Sequence, residues 1–222
     1  MIAPEPEPAT TLLVVAKQPV PGRVKTRLVP PCTHEQAAAL AEAALTDTLH
    51  TVLKVPARRR VLVLDGTPGP WLPSGFDIMP QCAGPLDERL AAAFAAVHGP
   101  ALLIGMDTPQ VTPGLLTVDW QAADAVFGPA ADGGFWALGL RVPDPALLRG
   151  VPMSTADTGA IQLGRLLNAG LRVADLPRLR DVDTAADAVA VARQAPLSRF
   201  AARTREYAGV LSEASRVLEE TA

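Results

Sequence analysis

Four cations are concentrated in the segment KQPVPGRVKTRL, which covers residues 17–28. They are Lys17, Arg23, Lys25 and Arg27. Two prolines and Gly22 turn the backbone here, so the cations are held on one constrained loop. Arginine offers planar, bidentate donors to phosphate, and lysine offers a point charge. The loop is therefore interpreted as a polyphosphate-binding segment, with a solvated basic loop as the alternative.

Three aspartates come at the ends of predicted strands. Asp107 directly follows the all-apolar segment 101–105, where a carboxylate is costly unless it is paired or binds a cation. Carboxylates and substrate phosphates are usual ligands of Mg²⁺, which favours metal binding by Asp107 over a turn or helix-cap role. Asp181 and Asp183 alternate along an extended segment and so share one face. Two like charges there require a cation or raised pKa values, unless Asp183 only starts the next helix.

Three further polar or glycine positions are weaker candidates. Asp132 stands in AADGGFW, where paired glycines permit close approach of a ligand, so substrate contact and a simple tight turn are equal alternatives. Gln81 and Gly84 could hold a base or ribose, or could belong to a plain loop. No serine-hydrolase, zinc-peptidase or P-loop motif is present.

These residues are placed by strands that alternate with helices. Apolar strands are predicted at residues 11–16, 61–64, 76–79, 101–105, 125–128, 135–140 and 172–176. Helices are predicted after Thr33, at 86–97, at 158–168 and at 184–194. The alternation predicts an α/β fold, with a mixed, mostly parallel sheet and helices on both faces. Ligands bind at the carboxyl ends of strands in such sheets, which is where the cationic loop falls.

The length of 222 residues suits one domain, predicted at residues 11–195. Residues 1–10 are acidic and proline-rich and are predicted to be a disordered tail. Residues 196–222 are predicted to hold a long amphipathic helix, Leu197 to Glu220, that packs on the domain or forms a homodimer.

The composition argues against several partners. A net charge of −3 disfavours general binding to nucleic acid, and 4% aromatic residues disfavour a base-stacking surface. No apolar stretch is long enough for a bilayer, and the N-terminus has no signal-peptide features, so a cytoplasmic location is expected. Cys32 and Cys82 follow no ligand spacing and are expected to be free thiols.

Four segments in order resemble a known bacterial family: AKQPVPGRVKTRL, IGMDTP, GPAADGGFW and DVDT. It is a family of small proteins in the nucleotide-diphospho-sugar transferase superfamily, with a Rossmann-like glycosyltransferase-A fold. Some members are associated with arsenosugar biosynthesis. The resemblance runs from about Leu12 to Ala190. The same layout is similar to guanylyltransferases that activate phospholactate or phosphoenolpyruvate, and more distantly to molybdenum-cofactor guanylyltransferases.

The resemblance implies a role for each motif. Arg23, Lys25 and Arg27 would bind the triphosphate of a nucleotide. The three strand-end aspartates would together hold Mg²⁺ or Mn²⁺, and these are Asp107, Asp181 and Asp183. Asp132 matches a motif residue of the family without an evident role.

The chain departs from the family pattern at two positions. Asp87 stands where glycine is frequent, and Met153 stands where tryptophan is frequent. Both positions are expected near the nucleotide or acceptor surface, so they bear on substrate identity.

Nucleotidyl transfer from a nucleoside triphosphate to a small phosphate- or carboxylate-bearing acceptor is the leading hypothesis. Arg23, Lys25 and Asp107 would then be catalytic, because several cations suit a departing pyrophosphate. The main alternative is glycosyl transfer from a nucleotide-sugar to a hydroxyl, for which Asp132 is the candidate base. A non-catalytic nucleotide-binding module is the third possibility.

Overall fold

The computed structural model describes residues 10–211. Residues 1–9, where the tail is predicted, and residues 212–222, at the end of the predicted terminal helix, lie outside the described part. Seven strands are present: β1 Thr11–Lys17, β2 Arg59–Asp65, β3 Asp77–Pro80, β4 Ala101–Gly105, β5 Ala125–Pro129, β6 Phe135–Leu140 and β7 Val173–Asp175. Five α-helices accompany them: α1 His34–Leu53, α2 Leu86–Ala95, α3 Thr158–Asn168, α4 Ala185–Gln194 and α5 Arg199–Glu206.

The strands form one mixed sheet in the order β3-β2-β1-β4-β6-β5-β7. Strand β6 runs antiparallel to both neighbours, and every other pair is parallel. The carboxyl ends of the other six strands therefore meet at one edge of the sheet. The predicted α/β architecture is confirmed.

Helices cover both faces because the buried strands carry apolar residues on both sides. Leu12 and Val14 of β1 pack with α1, through Leu45 and its neighbours, while Leu13 packs on the other face with Phe94 of α2. This alternation is what a period of two residues in a doubly covered strand requires. The sheet is thereby fixed between two apolar layers, and its polar residues are left at the edge.

The capping box predicted for α1 is present, since the Thr33 hydroxyl accepts from the Gln36 backbone and the Gln36 side chain accepts from the Thr33 backbone. The terminal helix α5 begins at Arg199, two residues after the predicted start, and Asp47 of α1 accepts hydrogen bonds from its first backbone N–H groups. Because these N–H groups have no partner within the helix, the buried carboxylate fixes α5 on α1. The helix reaches Glu206, residues 208–211 are helical again after a turn at Tyr207, and the rest of the predicted helix lies outside the described residues.

Two further observations concern the chemistry of the chain. Cys32 and Cys82 are free thiols, as predicted. Across residues 10–211, no helix combines the length and apolarity that crossing a membrane would require.

Candidate functional site

Lys25 is the cation that joins the predicted loop to the predicted acidic residues. The chain leaves β1, turns at Gly22 with a φ of 77° and reaches Lys25, whose φ of 48° is in the left-handed region. That conformation is unfavourable for a residue with a side chain, and such residues concentrate at functional sites. The ammonium lies 2.7 Å from Asp107 Oδ2 and 3.0 Å from Asp183 Oδ1. The loop and the carboxylates therefore meet on the same side of the sheet.

The two carboxylates keep Lys25 charged despite its burial. Only 11% of its side chain is exposed. Burial acts to lower the pKa of Lys25, but Asp107 and Asp183 outweigh it and raise the pKa above its ordinary value. Lys25 is therefore a fixed cation at all working pH values.

The other three cations of the loop are more accessible. Arg27 pairs with Asp183 Oδ2 at 2.9 Å and is 69% exposed. Lys17 and Arg23 are exposed and line one cavity at the edge of the sheet, and within residues 10–211 neither side chain forms an ion pair. These two cations are available to an incoming anion. Gly22 contributes the turn and does not reach the cavity wall.

Asp107, Asp181 and Asp183 form the acidic cluster that the motifs predicted. Each offers a carboxylate oxygen, and these oxygens all lie within 4.8 Å of one another. The backbone explains the convergence: Val182 is buried and donates its N–H to the Asp107 carbonyl at 3.1 Å, which places its two neighbours beside the end of β4. Three carboxylates in this arrangement fit a hard divalent cation.

The electrostatics of the cluster match a cation site. Burial, then the charges of Asp107, Asp132 and Asp183, raise the pKa of Asp181 to about 6. Asp107 and Asp183 instead share the Lys25 ammonium, so the cluster is held together by an amine and, below about pH 6, also by a proton on Asp181. A divalent ion could replace both. The prediction that the late aspartates need a cation or a raised pKa is confirmed for Asp181.

A cavity of about 340 Å³ opens on the cationic side of the cluster. Five cations line it, together with Asp107 and Asp183: Lys17, Arg23, Lys25, Arg27 and Arg89. Arg89 was missed by sequence reasoning because it reads as an ordinary helix residue of α2. Its Nε donates to the Gly84 carbonyl at 3.0 Å and its Nη1 to Gln81 Oε1 at 3.2 Å, contacts that no local pattern reveals.

Gln81 and Gly84 have structural uses. The Gln81 amide donates to the carbonyls of Ala16 and Val63 at 2.9 and 3.1 Å, so it braces the ends of β1 and β2, although it also lines the cationic cavity. Gly84, which has a φ of 116°, accepts the hydrogen bond from Arg89 through its carbonyl and does not line the cationic cavity.

A second cavity, of about 290 Å³, lies on the other side of the acidic cluster. It shares Asp107 and Asp183 with the first cavity and adds Asp132 and Asp181. The remaining wall is largely apolar, with hydroxyls at one end: Val15, Leu86, Leu90, Leu103, Met106, Phe135, Trp136, Met153, Ser154, Thr155 and Thr158. The acidic cluster thus separates a cationic cavity from an acidic, apolar one.

Asp132 takes part in a turn and in the second cavity at once. Its Oδ1 accepts from the Gly134 N–H at 2.8 Å, which is the tight-turn role. The glycine pair is needed because Gly133 has a φ of 92° and a side chain there would overlap the Ala156 carbonyl. This close approach brings the start of α3 against the turn, where the Gly159 N–H donates to the Gly133 carbonyl.

The two departures from the family pattern lie in different environments. Met153 lines the second cavity. Asp87 does not reach either cavity wall. It is buried, and its carboxylate accepts from the Gly150 N–H at 2.7 Å, so it ties α2 to the segment before α3.

Solved structures share this fold. A "putative nucleotide-diphospho-sugar transferase" from Desulfovibrio desulfuricans G20 matches with 27% identity and a TM-score of 0.83, over 92% of this chain and 97% of that chain. The 2-C-methyl-D-erythritol 4-phosphate cytidylyltransferase of Thermus thermophilus matches with 18% identity and a TM-score of 0.51, over 85% and 99%. CMP:2-keto-3-deoxy-manno-octonic acid synthetase, solved with CTP, matches with 12% identity and a TM-score of 0.53, over 86% and 98%.

No protein of curated function matches the sequence. A family model does match, over residues 39–155, and these residues include Asp107, Asp132 and the part of the second cavity's wall that runs from Leu86 to Thr155. The model describes an uncharacterized protein conserved in bacteria, and its residues make up more than half of the chain. The chain belongs to this family, DUF2064.

Proposed function

We propose that this protein is a divalent-metal-dependent transferase that uses a nucleoside triphosphate and passes its nucleotidyl group to a small acceptor. The observation that carries the proposal is the junction at Lys25, where a cavity lined by five cations meets three clustered carboxylates. Cations bind a polyphosphate, and carboxylates bind the metal that accompanies it.

The cations of the first cavity have distinct tasks. Lys17 and Arg23 are exposed without ion-pair partners among the described residues, so they contact the terminal phosphates. Lys25 and Arg27 lie at the carboxylates and approach the phosphate nearer the reacting bond. The acceptor oxygen attacks the α-phosphorus, the bond to the bridging oxygen breaks, and pyrophosphate leaves against this positive wall.

Asp107, Asp181 and Asp183 would hold Mg²⁺ or Mn²⁺. When bound, the ion supplies positive charge that offsets the charge developing on the phosphate oxygens. The carboxylates also define the boundary between the two cavities, so the reacting phosphorus and the acceptor approach each other across them.

Glycosyl transfer from a nucleotide-sugar is the second candidate. It is favoured by the D. desulfuricans protein, which shares 27% identity over nearly its whole length and is named a "putative nucleotide-diphospho-sugar transferase". A hydroxyl acceptor must lose its proton, and Asp132 is the carboxylate of the second cavity outside the metal cluster. Its Oδ1 holds the turn, and within residues 10–211 no hydrogen bond engages Oδ2, which leaves that oxygen to accept the proton.

Incubation with Mg²⁺ and a panel of triphosphates and nucleotide-sugars tests the proposal. Pyrophosphate release supports nucleotidyl transfer, and release of a nucleoside diphosphate supports glycosyl transfer. Asp107→Asn should abolish either signal, whereas Asp77→Asn, an exposed aspartate of β3 paired with Arg59, should leave it unchanged. If neither class of nucleotide binds the wild-type protein with Mg²⁺, or if Asp107→Asn keeps full turnover, the assignment is wrong.

A further inference from the structure

The two cavities have opposite charge. The first is lined by five cations and two carboxylates. The second is lined by four carboxylates, Asp107, Asp132, Asp181 and Asp183, and its wall contains no lysine, arginine or histidine among the described residues. The charged side chains that an acceptor meets in the second cavity are therefore all carboxylates.

We propose that the second cavity binds a neutral or cationic acceptor, an alcohol or an amine with an apolar body, and rejects acceptors that carry a carboxylate or a phosphate. In the transfer, the hydroxyl oxygen or amine nitrogen forms a bond to the α-phosphorus as pyrophosphate leaves, and the proton that the acceptor loses passes to Asp132 Oδ2, which lines this cavity. This inference rests on the proposed function for the direction of transfer. It departs from the sequence-based prediction of an anionic acceptor.

The apolar wall defines the body of this acceptor. Leu86, Leu90 and Leu103 form one side, and Phe135 and Trp136 contribute aromatic surface. The Trp136 indole N–H donates to the Pro177 carbonyl at 3.0 Å, so the ring offers the cavity an apolar surface without an unmet donor. Such walls bind the apolar part of a small ligand, and a few polar groups select its functional group.

The three hydroxyls that line the cavity belong to Ser154, Thr155 and Thr158, and none of them carries the positive charge that would balance an anion. Thr158 Oγ1 donates to the Pro152 carbonyl at 2.8 Å, and it also accepts from the Thr155 N–H at 3.1 Å. The Thr158 hydroxyl and the Thr155 N–H are therefore already engaged within the protein. A carboxylate or phosphate entering here would lose water without gaining a charged partner, which is unfavourable.

A divalent ion on the cluster does not remove this preference. The ion would be held by Asp107, Asp181 and Asp183, so its two positive charges would be offset by the three carboxylates that bind it. Asp132 lies outside that set and keeps its negative charge toward the acceptor. Like charges placed together are the usual means by which a site rejects a wrong ligand.

Four probes with the same body separate the possibilities: 3-phenylpropan-1-ol, 3-phenylpropylamine, 3-phenylpropionate and 3-phenylpropyl phosphate. Calorimetric titration of the full chain, with and without Mg²⁺, should show that the alcohol and the amine bind at least about tenfold more tightly than the two anions. Met153→Trp narrows the second cavity and should weaken the binding of the alcohol and the amine. An anion whose binding ignores Met153→Trp is bound at the cationic cavity and agrees with the proposal.

Asp132→Asn is the sharper variant, because asparagine still accepts the Gly134 N–H and keeps the turn. It should reduce the difference in binding affinity between 3-phenylpropan-1-ol and 3-phenylpropionate. Asp144→Asn is the matched control, since Asp144 is also exposed and accepts the Ala146 N–H at 2.9 Å but lies outside both cavities. Asp144→Asn should leave this difference in affinity unchanged.

Three results would overturn the inference. The first is an anion that binds as tightly as the alcohol and whose binding is weakened by Met153→Trp, and the second is a lack of binding by all four probes. The third is a difference in affinity between alcohol and carboxylate that Asp132→Asn does not change. Failure of the proposed function is seen separately, as a lack of nucleotide binding by a protein that still discriminates among the probes.

Discussion

Replacing Asp181 with asparagine is expected to stabilise the metal-free protein and to weaken its stabilisation by metal. The pKa of Asp181 is raised from 3.8 to about 6 by burial and by the neighbouring carboxylates, so the folded state favours the protonated form. Well below pH 3.8 the carboxyl group is protonated in both the folded and the unfolded protein, so it does not change the free energy of unfolding. As the pH rises through 6 the folded protein must carry an ionised Asp181, and the associated stability is lost. Asparagine, which never ionises, avoids that loss.

The size of the effect follows from the pKa. At about 1.4 kcal/mol for each pH unit, the rise to about 6 corresponds to at most about 3 kcal/mol at neutral pH. Asp181 is only partly buried, so solvent screening reduces this to roughly 1–2 kcal/mol. In a chain of this size the melting temperature should rise by about 2–8 °C at pH 7.5. The gain should be nearly gone near pH 4.

Divalent metal reverses the comparison. Mg²⁺ or Mn²⁺ with a nucleotide should raise the melting temperature of the wild type, because a ligand bound to the folded state stabilises it. Asp181→Asn has lost one carboxylate and should gain much less.

Scanning calorimetry at pH 4 to 8, with and without metal, measures both effects. Asp175→Asn at the end of β7 is the control, since Asp175 is exposed and lies outside both cavities. If Asp181→Asn is no more stable than the wild type at pH 7.5, or if its gain in stability does not depend on pH, the electrostatic account of the cluster is refuted.

Three further outcomes are expected. Lys25→Met should weaken the metal-free fold but tighten Mn²⁺ binding in calorimetric titration, because the ammonium competes for the same carboxylates; loss of Mn²⁺ binding would contradict this. Arg23→Ala should weaken triphosphate binding by roughly tenfold with an unchanged melting temperature, whereas Arg59→Ala, outside the cavity, should change neither; equal affinities would count against the phosphate role. Gly133→Ala should destabilise the protein by at least about 2 kcal/mol more than Gly150→Ala, because both have positive φ but only Gly133 meets backbone; denaturant titrations of equal midpoint would disprove the steric argument.

The meeting of Lys25 with Asp107 could be predicted because it follows from topology. Parallel strands end at one edge, and β1 and β4 are paired, so their following loops are neighbours. The same reasoning places residues 130–134, after β5. Apolar alternation and the capping boxes at Thr33 and Thr184 fixed the helices that start beside them.

The identity of each side chain's partner could not be predicted in the same way. Arg89 reaches the cavity from the interior of α2, and nothing in the LDERL sequence distinguishes it from a solvated arginine. Thr112 directly precedes the short helix Pro113–Leu116, but its side chain makes no cap hydrogen bond among the described residues. The start of the terminal helix is held by Asp47, a contact across 152 residues of sequence. Such long-range contacts depend on packing and leave no local pattern.

The acidic cluster explains how metal and nucleotide binding can be linked. In the metal-free protein, Asp107 and Asp183 are balanced by Lys25 and Arg27, and Asp181 is relieved by its raised pKa. A divalent ion would compete with the Lys25 ammonium at every working pH and, below about pH 6, with the proton of Asp181 as well, so metal alone should bind less well as the pH falls through 6. A polyphosphate changes this balance, because it provides a new partner for the displaced cations. Each ligand thus removes the obstacle to the other, and the linkage follows from one lysine placed between two carboxylates.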